Sequence, residues 1–235
     1  MGIFRNVDIG MIGAMDSEIE YIKSRLEDSS EKEFGGVTFT IGRLFGKDIA
    51  IARCGIGKVF AALCAEAMIV AVSPRIIINT GVGGALKSGI SIGDIVVAEK
   101  LVQHDMDTSP LGDPKGLISG INKIYFEADS KGREALSLAA KDEGLEIKCG
   151  IIASGDRFVA DKETKAEIVR EFDASVCEME GAAIAQVAFV NKTPFLVIRA
   201  VSDSADEESS VDYMEFLAEA AKKSARLTVS FCKRF

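Results

Sequence analysis

Along this chain, short unbroken apolar runs alternate with longer stretches whose apolar positions fall three and four residues apart. That is the pattern of buried strands separated by helices. Val7 to Met11 reads as a short strand. Asp16 to Leu26 follows with Ile19, Ile22 and Leu26 at helical spacing, and acidic residues in its first turn complement the helix dipole. Gly35-Gly36 separates Glu33-Phe34 from Val37 to Ile41, and Phe45-Gly46-Lys47-Asp48 separates the next pair of runs; both read as antiparallel turns. Lys58 to Val72 predicts an apolar helix stopped by Ser73-Pro74. Arg75 to Thr80 predicts a strand that opens into Gly81-Val82-Gly83-Gly84, and Asp94 to Val102 a further one. His104 to Gly120 lacks either period and reads as a surface loop. A helix at Ser130 to Glu143, a strand at Glu146 to Ala153 and helices at Lys162 to Phe172 and Glu180 to Val190 come next. A strand at Pro194 to Ala200 and a long helix at Ser209 to Phe231 complete the order.

This alternation implies the α/β class, with a central sheet covered by helices on both faces. The early hairpins make that sheet mixed. The length of 235 residues is expected to form one domain, 1–235, since no linker, repeat or low-complexity segment divides it. In such sheets ligands collect at the carboxyl ends of strands, where Glu18, Gly81 to Gly84 and Asp203 all fall.

Charge and composition remove several function classes. The balance of 28 basic against 36 acidic residues gives a net charge of −8 and no basic cluster, so nucleic acid is not expected as a partner. No apolar run is long enough to span a bilayer and no leader precedes the first strand, which places the chain away from membranes and in the cytoplasm. The five cysteines are widely spaced, and Cys54, Cys64 and Cys149 lie in apolar segments, which predicts reduced buried thiols. His104 is the only histidine, so neither a histidine-based triad nor a histidine-rich metal site can be assembled. His104-Asp105-Met106-Asp107 reads as a solvated loop rather than a cation site, and no metal or cofactor is expected.

The remaining chemistry is carboxylate chemistry. Glu178 and Glu180 sit among Val176, Met179, Ala182, Ala183 and Ile184, and buried acids are rare unless paired or functional. Asp203 follows the apolar run Phe195 to Ile198 and reads either as a buried acid or, with Ser202, as a helix or turn cap. Glu18, taken alone, reads as a solvated helix carboxylate. Gly81-Val82-Gly83-Gly84 is neither a dinucleotide fingerprint nor a P-loop, which leaves a plain strand-to-helix turn or a binding loop. Separated carboxylates at strand ends suit bond cleavage in which one group donates a proton and another activates water.

Seven ordered motifs carry a resemblance. They are Met11-Ile12-Gly13-Ala14-Met15-Asp16-Ser17-Glu18, Gly55-Ile56-Gly57-Lys58, Asn79-Thr80-Gly81, Gly93-Asp94-Ile95-Val96, Ser154-Gly155-Asp156, Glu178-Met179-Glu180 and Arg199-Ala200-Val201-Ser202-Asp203. Together they span essentially the whole chain, which closely resembles the bacterial 5′-methylthioadenosine/S-adenosylhomocysteine nucleosidases. The resemblance implies a nucleoside-phosphorylase-like three-layer α/β/α fold and a homodimer. It also implies hydrolysis of the N-glycosidic bond of an adenine nucleoside, in the service of methionine salvage. It places the water-activating base at Glu18, the carboxylate for the ribose hydroxyls at Glu180, and the acid that protonates purine N7 at Asp203, beside Ser202. Met179 would pack on the sugar, Phe158 and Val159 contact adenine, and Arg199 stand near the water. Met15, Ile56, Val82 and Gly83 complete the implied substrate pocket.

Val82 is a departure, since many relatives carry a serine there that helps to hold ribose or water. The segment Thr108 to Ser119, which shapes the pocket for the 5′-substituent in the family, also diverges. Two rival readings are a nucleoside phosphorylase on the same fold and a non-catalytic nucleoside sensor. A phosphorylase is expected to supply arginines and a serine for phosphate, and a sensor to have lost one of the three carboxylates.

Overall fold

The computed structural model describes residues 2–235. Among these residues ten strands and six α-helices follow one another as β1 (Ile9–Gly13), α1 (Asp16–Lys23), β2 (Glu27–Phe34), β3 (Val37–Leu44), β4 (Lys47–Arg53), α2 (Lys58–Val72), β5 (Ile76–Ala85) and β6 (Ile95–Gln103). After these come β7 (Phe126–Glu127), α3 (Ser130–Asp142), β8 (Ile147–Ser154), α4 (Lys162–Phe172), β9 (Ala174–Glu178), α5 (Gly181–Val190), β10 (Phe195–Asp203) and α6 (Ser209–Phe231). All strands belong to one mixed sheet in the order β10-β6-β8-β9-β5-β1-β4-β3-β2, with β7 beside β6. A further parallel pairing of β10 with β5 curls one end of the sheet onto itself. Helices α1, α3 and α6 pack together as one layer, and α2 with α5 as the other. Among the described residues no helix is long and apolar enough to cross a membrane.

Local chemistry explains why the helices begin and end where they do. Asp161 caps α4 by accepting the Thr164 amide at 2.8 Å, and Asp129 caps α3 by accepting the Gly132 amide at 2.7 Å. Helix α2 ends at Ser73, which turns left-handed with φ +38° ahead of Pro74. Helix α6 lays Ala220, Ala221, Ser224, Ala225 and Thr228 against the sheet, with Ser224 and Thr228 bonded to Thr80 of β5. Small side chains there let the longest helix approach β5 and β10 closely.

Several boundaries differ from the sequence expectation. Strand β2 extends back to Glu27 because it is an edge strand paired only to β3, and its exposed polar side chains hid it. Strand β9 was not foreseen, being five buried residues between two helices. Helix α1 stops at Lys23 rather than Leu26, and β10 runs on to Asp203. Gly81 to Gly84 form neither a turn nor a loop: they continue β5. Cys149, near the start of β8, is exposed, unlike Cys54 and Cys64.

Arg199, on β10, is 1 % exposed, and its guanidinium reaches across the sheet. It donates to the Ile198 carbonyl at 2.9 Å, the Asn79 carbonyl at 3.3 Å and the Asn79 amide oxygen, and it pairs with Glu178 at the end of β9. Glu178 also accepts the Ser154 hydroxyl and the Gly181 amide, the latter at 2.8 Å. Removing one member of such a pair strands the other charge in the interior, at a cost of about 3–5 kcal/mol. Arg199→Met is therefore expected to lower the unfolding free energy by about that amount in urea titration. A loss below about 1 kcal/mol would show that the pair does not anchor the sheet.

Candidate active site

The carboxyl ends of β1, β5, β9 and β10 surround a cavity of about 300 Å³. Its wall includes Met15, Glu18, Ile56, Val82, Gly83, Phe158, Val159, Met179, Glu180, Ser202 and Asp203. Every residue named from the sequence is therefore brought together there, with one exception. Arg199 is not on the wall; its side chain is held behind it by Asn79 and Glu178, so it acts on the cavity through charge rather than contact. The segment Thr108 to Ser119 also contributes nothing to the wall of this chain. It is tied instead toward α4 by the Lys115–Glu167 ion pair.

Glu18 is not solvated; it is 3 % exposed. It sits in the first turn of α1, and its Oε2 folds back to accept the amides of Ala14 at 2.7 Å and Met15 at 3.0 Å. This arrangement is half of a capping box, so the helix start itself aims the carboxylate. Its Oε1 accepts the Val82 amide at 3.1 Å. Burial raises its pKa, and the nearby Arg199 charge and the backbone donors oppose that rise.

Asp203, the last residue of β10, accepts the Ser202 hydroxyl at 2.8 Å and the Ala205 amide at 3.0 Å. Burial outweighs these donors and raises its pKa, which favours the protonated acid. The capping role read for Ser202-Asp203 is thus real but local, since the Ala205 contact closes the turn that leaves the strand.

The glycines of β5 explain how two carboxylates fit against one strand. A Cβ at Gly81 would lie 2.5 Å from Glu18 Oε1, and one at Gly84 would lie 2.6 Å from Asp203 Oδ1. The requirement is close approach to buried acids. Glu180, at the start of α5, accepts the Gly57 amide at 2.8 Å, which fastens the Ile56 segment to the wall. Burial first, and then the Glu178 charge, push its pKa up to about 7.

Sequence reasoning missed Ala14, Arg157, Cys177 and Tyr213 as wall residues, and it had singled out Gly84 and Glu178 without assigning them to the pocket. Tyr213 belongs to α6, ten residues after Asp203, and nothing in its neighbourhood marks it. Its ring meets Phe158 edge-on at 5.6 Å. The oxygens of Asp105 accept Lys58 Nζ at 2.5 Å and the Asp156 amide at 2.9 Å.

Comparison with known proteins identifies the family. The family profile of the phosphorylase superfamily matches residues 8–233. A 5′-methylthioadenosine/S-adenosylhomocysteine nucleosidase of Geobacillus thermodenitrificans is 39% identical, with 94% of each chain covered. An aminodeoxyfutalosine nucleosidase of Campylobacter jejuni is 35% identical over 96% of this chain and 98% of its own. The crystal structure of a 5′-methylthioadenosine/S-adenosylhomocysteine nucleosidase from Neisseria meningitidis, in complex with methylthio-immucillin-A, superposes with a TM-score of 0.94 at 38% identity. That superposition covers 97% of this chain and 99% of the other. The chain belongs to the phosphorylase superfamily, in its branch of 5′-methylthioadenosine/S-adenosylhomocysteine nucleosidases.

Proposed function

We propose that the chain, acting as one domain, hydrolyses the N-glycosidic bond of 5′-methylthioadenosine and S-adenosylhomocysteine, and of 5′-deoxyadenosine. The products are adenine and the 5-substituted ribose. The observation that carries this reading is the convergence of Glu18, Glu180 and Asp203 on one cavity, each with its pKa raised by burial.

Adenine leaves poorly as an anion, so the protonated Asp203 gives its proton to purine N7 as the C1′–N9 bond breaks. The sugar then carries oxocarbenium character, which the surrounding carboxylates stabilise. Glu18 takes a proton from the water that attacks C1′. Glu180 holds the ribose hydroxyls and Met179 packs on the sugar, while Phe158 and Val159 receive the base. Ser202 keeps Asp203 oriented through its 2.8 Å hydrogen bond.

Water suits this site better than phosphate as the nucleophile. The one basic side chain on the wall among the described residues, Arg157, is paired with Asp161 at 2.8 Å, and Val82 has no hydroxyl to offer. An anionic nucleophile would face the Glu18 and Glu180 carboxylates without a neutralising partner. Adenine release in phosphate-free buffer, with no sugar phosphate formed when phosphate is added, is the expected result. Phosphate-dependent release would overturn the hydrolytic reading. Retention of all three carboxylates also argues against a sensor.

A homodimer in the cytoplasm completes the proposal. Ile56, Val59, Phe60 and Leu63 expose a continuous apolar strip along the start of α2, beside the cavity. Sedimentation equilibrium is expected to give twice the 25.1 kDa chain mass. A monomer at micromolar concentration would contradict it.

Asp203→Asn, which cannot supply a carboxylic proton, is expected to slow adenine release by about 10²- to 10⁴-fold. Glu18→Gln should be similarly slow yet still bind a non-hydrolysable nucleoside in calorimetry, because it loses water activation and not recognition. Activity of either variant within a few-fold of the parent would remove the assigned role.

The pH profile of kcat/KM follows from the same shifts. Activity needs Glu18 ionised and Asp203 protonated. It should therefore fall on the acid side as Glu18 gains a proton and on the alkaline side as Asp203 loses one. Both limbs are expected above the ordinary carboxylate values of 4.5 and 3.8, because burial raises both groups. Limbs at those ordinary values would mean that neither group is desolvated during catalysis.

A further inference from the structure

Two segments of the cavity wall meet at a carboxylate that does not itself line the wall. The first segment, Gly55 to Lys58, carries Ile56, and its Gly57 amide holds Glu180 at 2.8 Å. The second, Gly155 to Val159, carries Arg157, Phe158 and Val159. Asp105, two residues beyond β6, joins them. Its Oδ1 accepts Lys58 Nζ at 2.5 Å, and its Oδ2 accepts the Asp156 amide at 2.9 Å. Asp156 closes the ring, since its own Oδ1 accepts the Lys58 amide at 2.7 Å.

Each contact in this ring answers a local need. The Lys58 amide is the first of α2, and Gly57 before it has no side chain to cap it. Asp156, 98 residues away in sequence, supplies the missing acceptor. Lys58 Nζ also donates to Gln103 at 3.2 Å, and Gln103 donates to Gln186 of α5 at 2.6 Å. Burial alone would raise the Asp105 pKa, but Lys58 and the Asp156 amide outweigh it and hold the carboxyl below its usual value. The carboxylate therefore stays ionised opposite Lys58. Glu18 and Asp203 do not depend on this ring. Their donors are the amides of Ala14, Met15 and Val82 for the one, and Ser202 with the Ala205 amide for the other.

We infer that Asp105 is a positioning residue that locks the segment holding Glu180 and the segment carrying Phe158 and Val159 at one fixed spacing. This inference rests on the hydrolytic reading above, which puts ribose on Glu180 and adenine on Phe158 and Val159. A ligand that spans both segments then meets a preformed site and does not have to order them on binding. Free adenine uses only one of the two segments. The clamp thus acts on nucleoside affinity, and it leaves the acid and the base where their own donors hold them.

The test uses two variants. Asp105→Ala removes both contacts, while Asp105→Asn keeps an oxygen for the Asp156 amide and loses the charge opposite Lys58. Calorimetry compares free adenine with an uncleavable C-nucleoside analogue of 5′-methylthioadenosine, and steady-state kinetics gives kcat and KM for 5′-methylthioadenosine. Hydrogen bonds to charged groups are worth ~10- to 100-fold. The side chains of Lys58 and Asp105 are 18 % and 31 % exposed, which places the effect near ~10-fold. The nucleoside Kd and the KM are expected to rise by that factor in Asp105→Ala, the adenine Kd by clearly less, and kcat to stay within a few-fold. Asp105→Asn should fall between Asp105→Ala and the parent. Equal weakening of nucleoside and adenine would overturn the inference, because it would show general support of the wall. A fall in kcat at unchanged KM, or no change in any quantity, would overturn it as well. Melting temperatures measured in parallel expose a folding defect, and if Asp105→Ala does not fold, the same comparison on Asp105→Asn decides. Failure of the parent chain to release adenine from any nucleoside would instead remove the hydrolytic reading. Calorimetry needs no turnover and still tests the clamp, which separates the two failures.

Discussion

The structure depends on how it accommodates ionised groups in its interior. Among the described residues the buried charged side chains are four carboxylates, Glu18, Glu178, Glu180 and Asp203, and one cation, Arg199. The guanidinium neutralises Glu178 by direct contact at Oε2, which also accepts the Gly181 amide at the start of α5, and Ser154 donates to Oε1. One cation cannot neutralise the other three acids. Their desolvation is then relieved by backbone donors or by protonation, and each has its pKa raised. The burial that makes this interior expensive is also what holds Asp203 above the ordinary carboxylate range and favours its protonated form.

The glycines of β5 are the structural counterpart of that electrostatics. Gly81 and Gly84 allow Glu18 and Asp203 to lie against the strand from opposite sides of the chain order, one from α1 and one from β10. A side chain at either position would push a carboxylate out of place. Positioning in this site is therefore largely a matter of backbone: the amides of Ala14, Met15, Val82, Gly57 and Ala205 each hold a carboxylate oxygen. Such donors are fixed by the fold, and they need no reorganisation when charge develops on the substrate.

Arg199 and Glu178 illustrate how a residue can matter without touching substrate. Near the cavity, yet excluded from contact except through Glu178, Arg199 lowers the cost of the Glu18 charge and secures the ends of β9 and β10. Its role is that of a structural counter-charge. The resemblance had placed it beside the attacking water, and the geometry assigns it to the layer behind.

Much of this was legible in the sequence. The limits of α2, α4 and α6 follow from apolar spacing and from stop signals such as Ser73-Pro74, because those cues act within a few residues. The acids at Glu180 and Asp203 were conspicuous because apolar neighbours surround them. Other features belonged to tertiary structure alone. Strand β2 looked polar because an edge strand is solvated on its free side, and β9 was too short for a period to show. Glu18 looked like a surface carboxylate until the capping box and the close face of Gly81 buried it. Tyr213 reaches the cavity only because α6 packs on β10 and on β5, the latter more than a hundred residues earlier in the chain. Local pattern determined the elements and the kind of chemistry; the meeting of distant strand ends in a low-dielectric cavity decided which carboxylates could perform it.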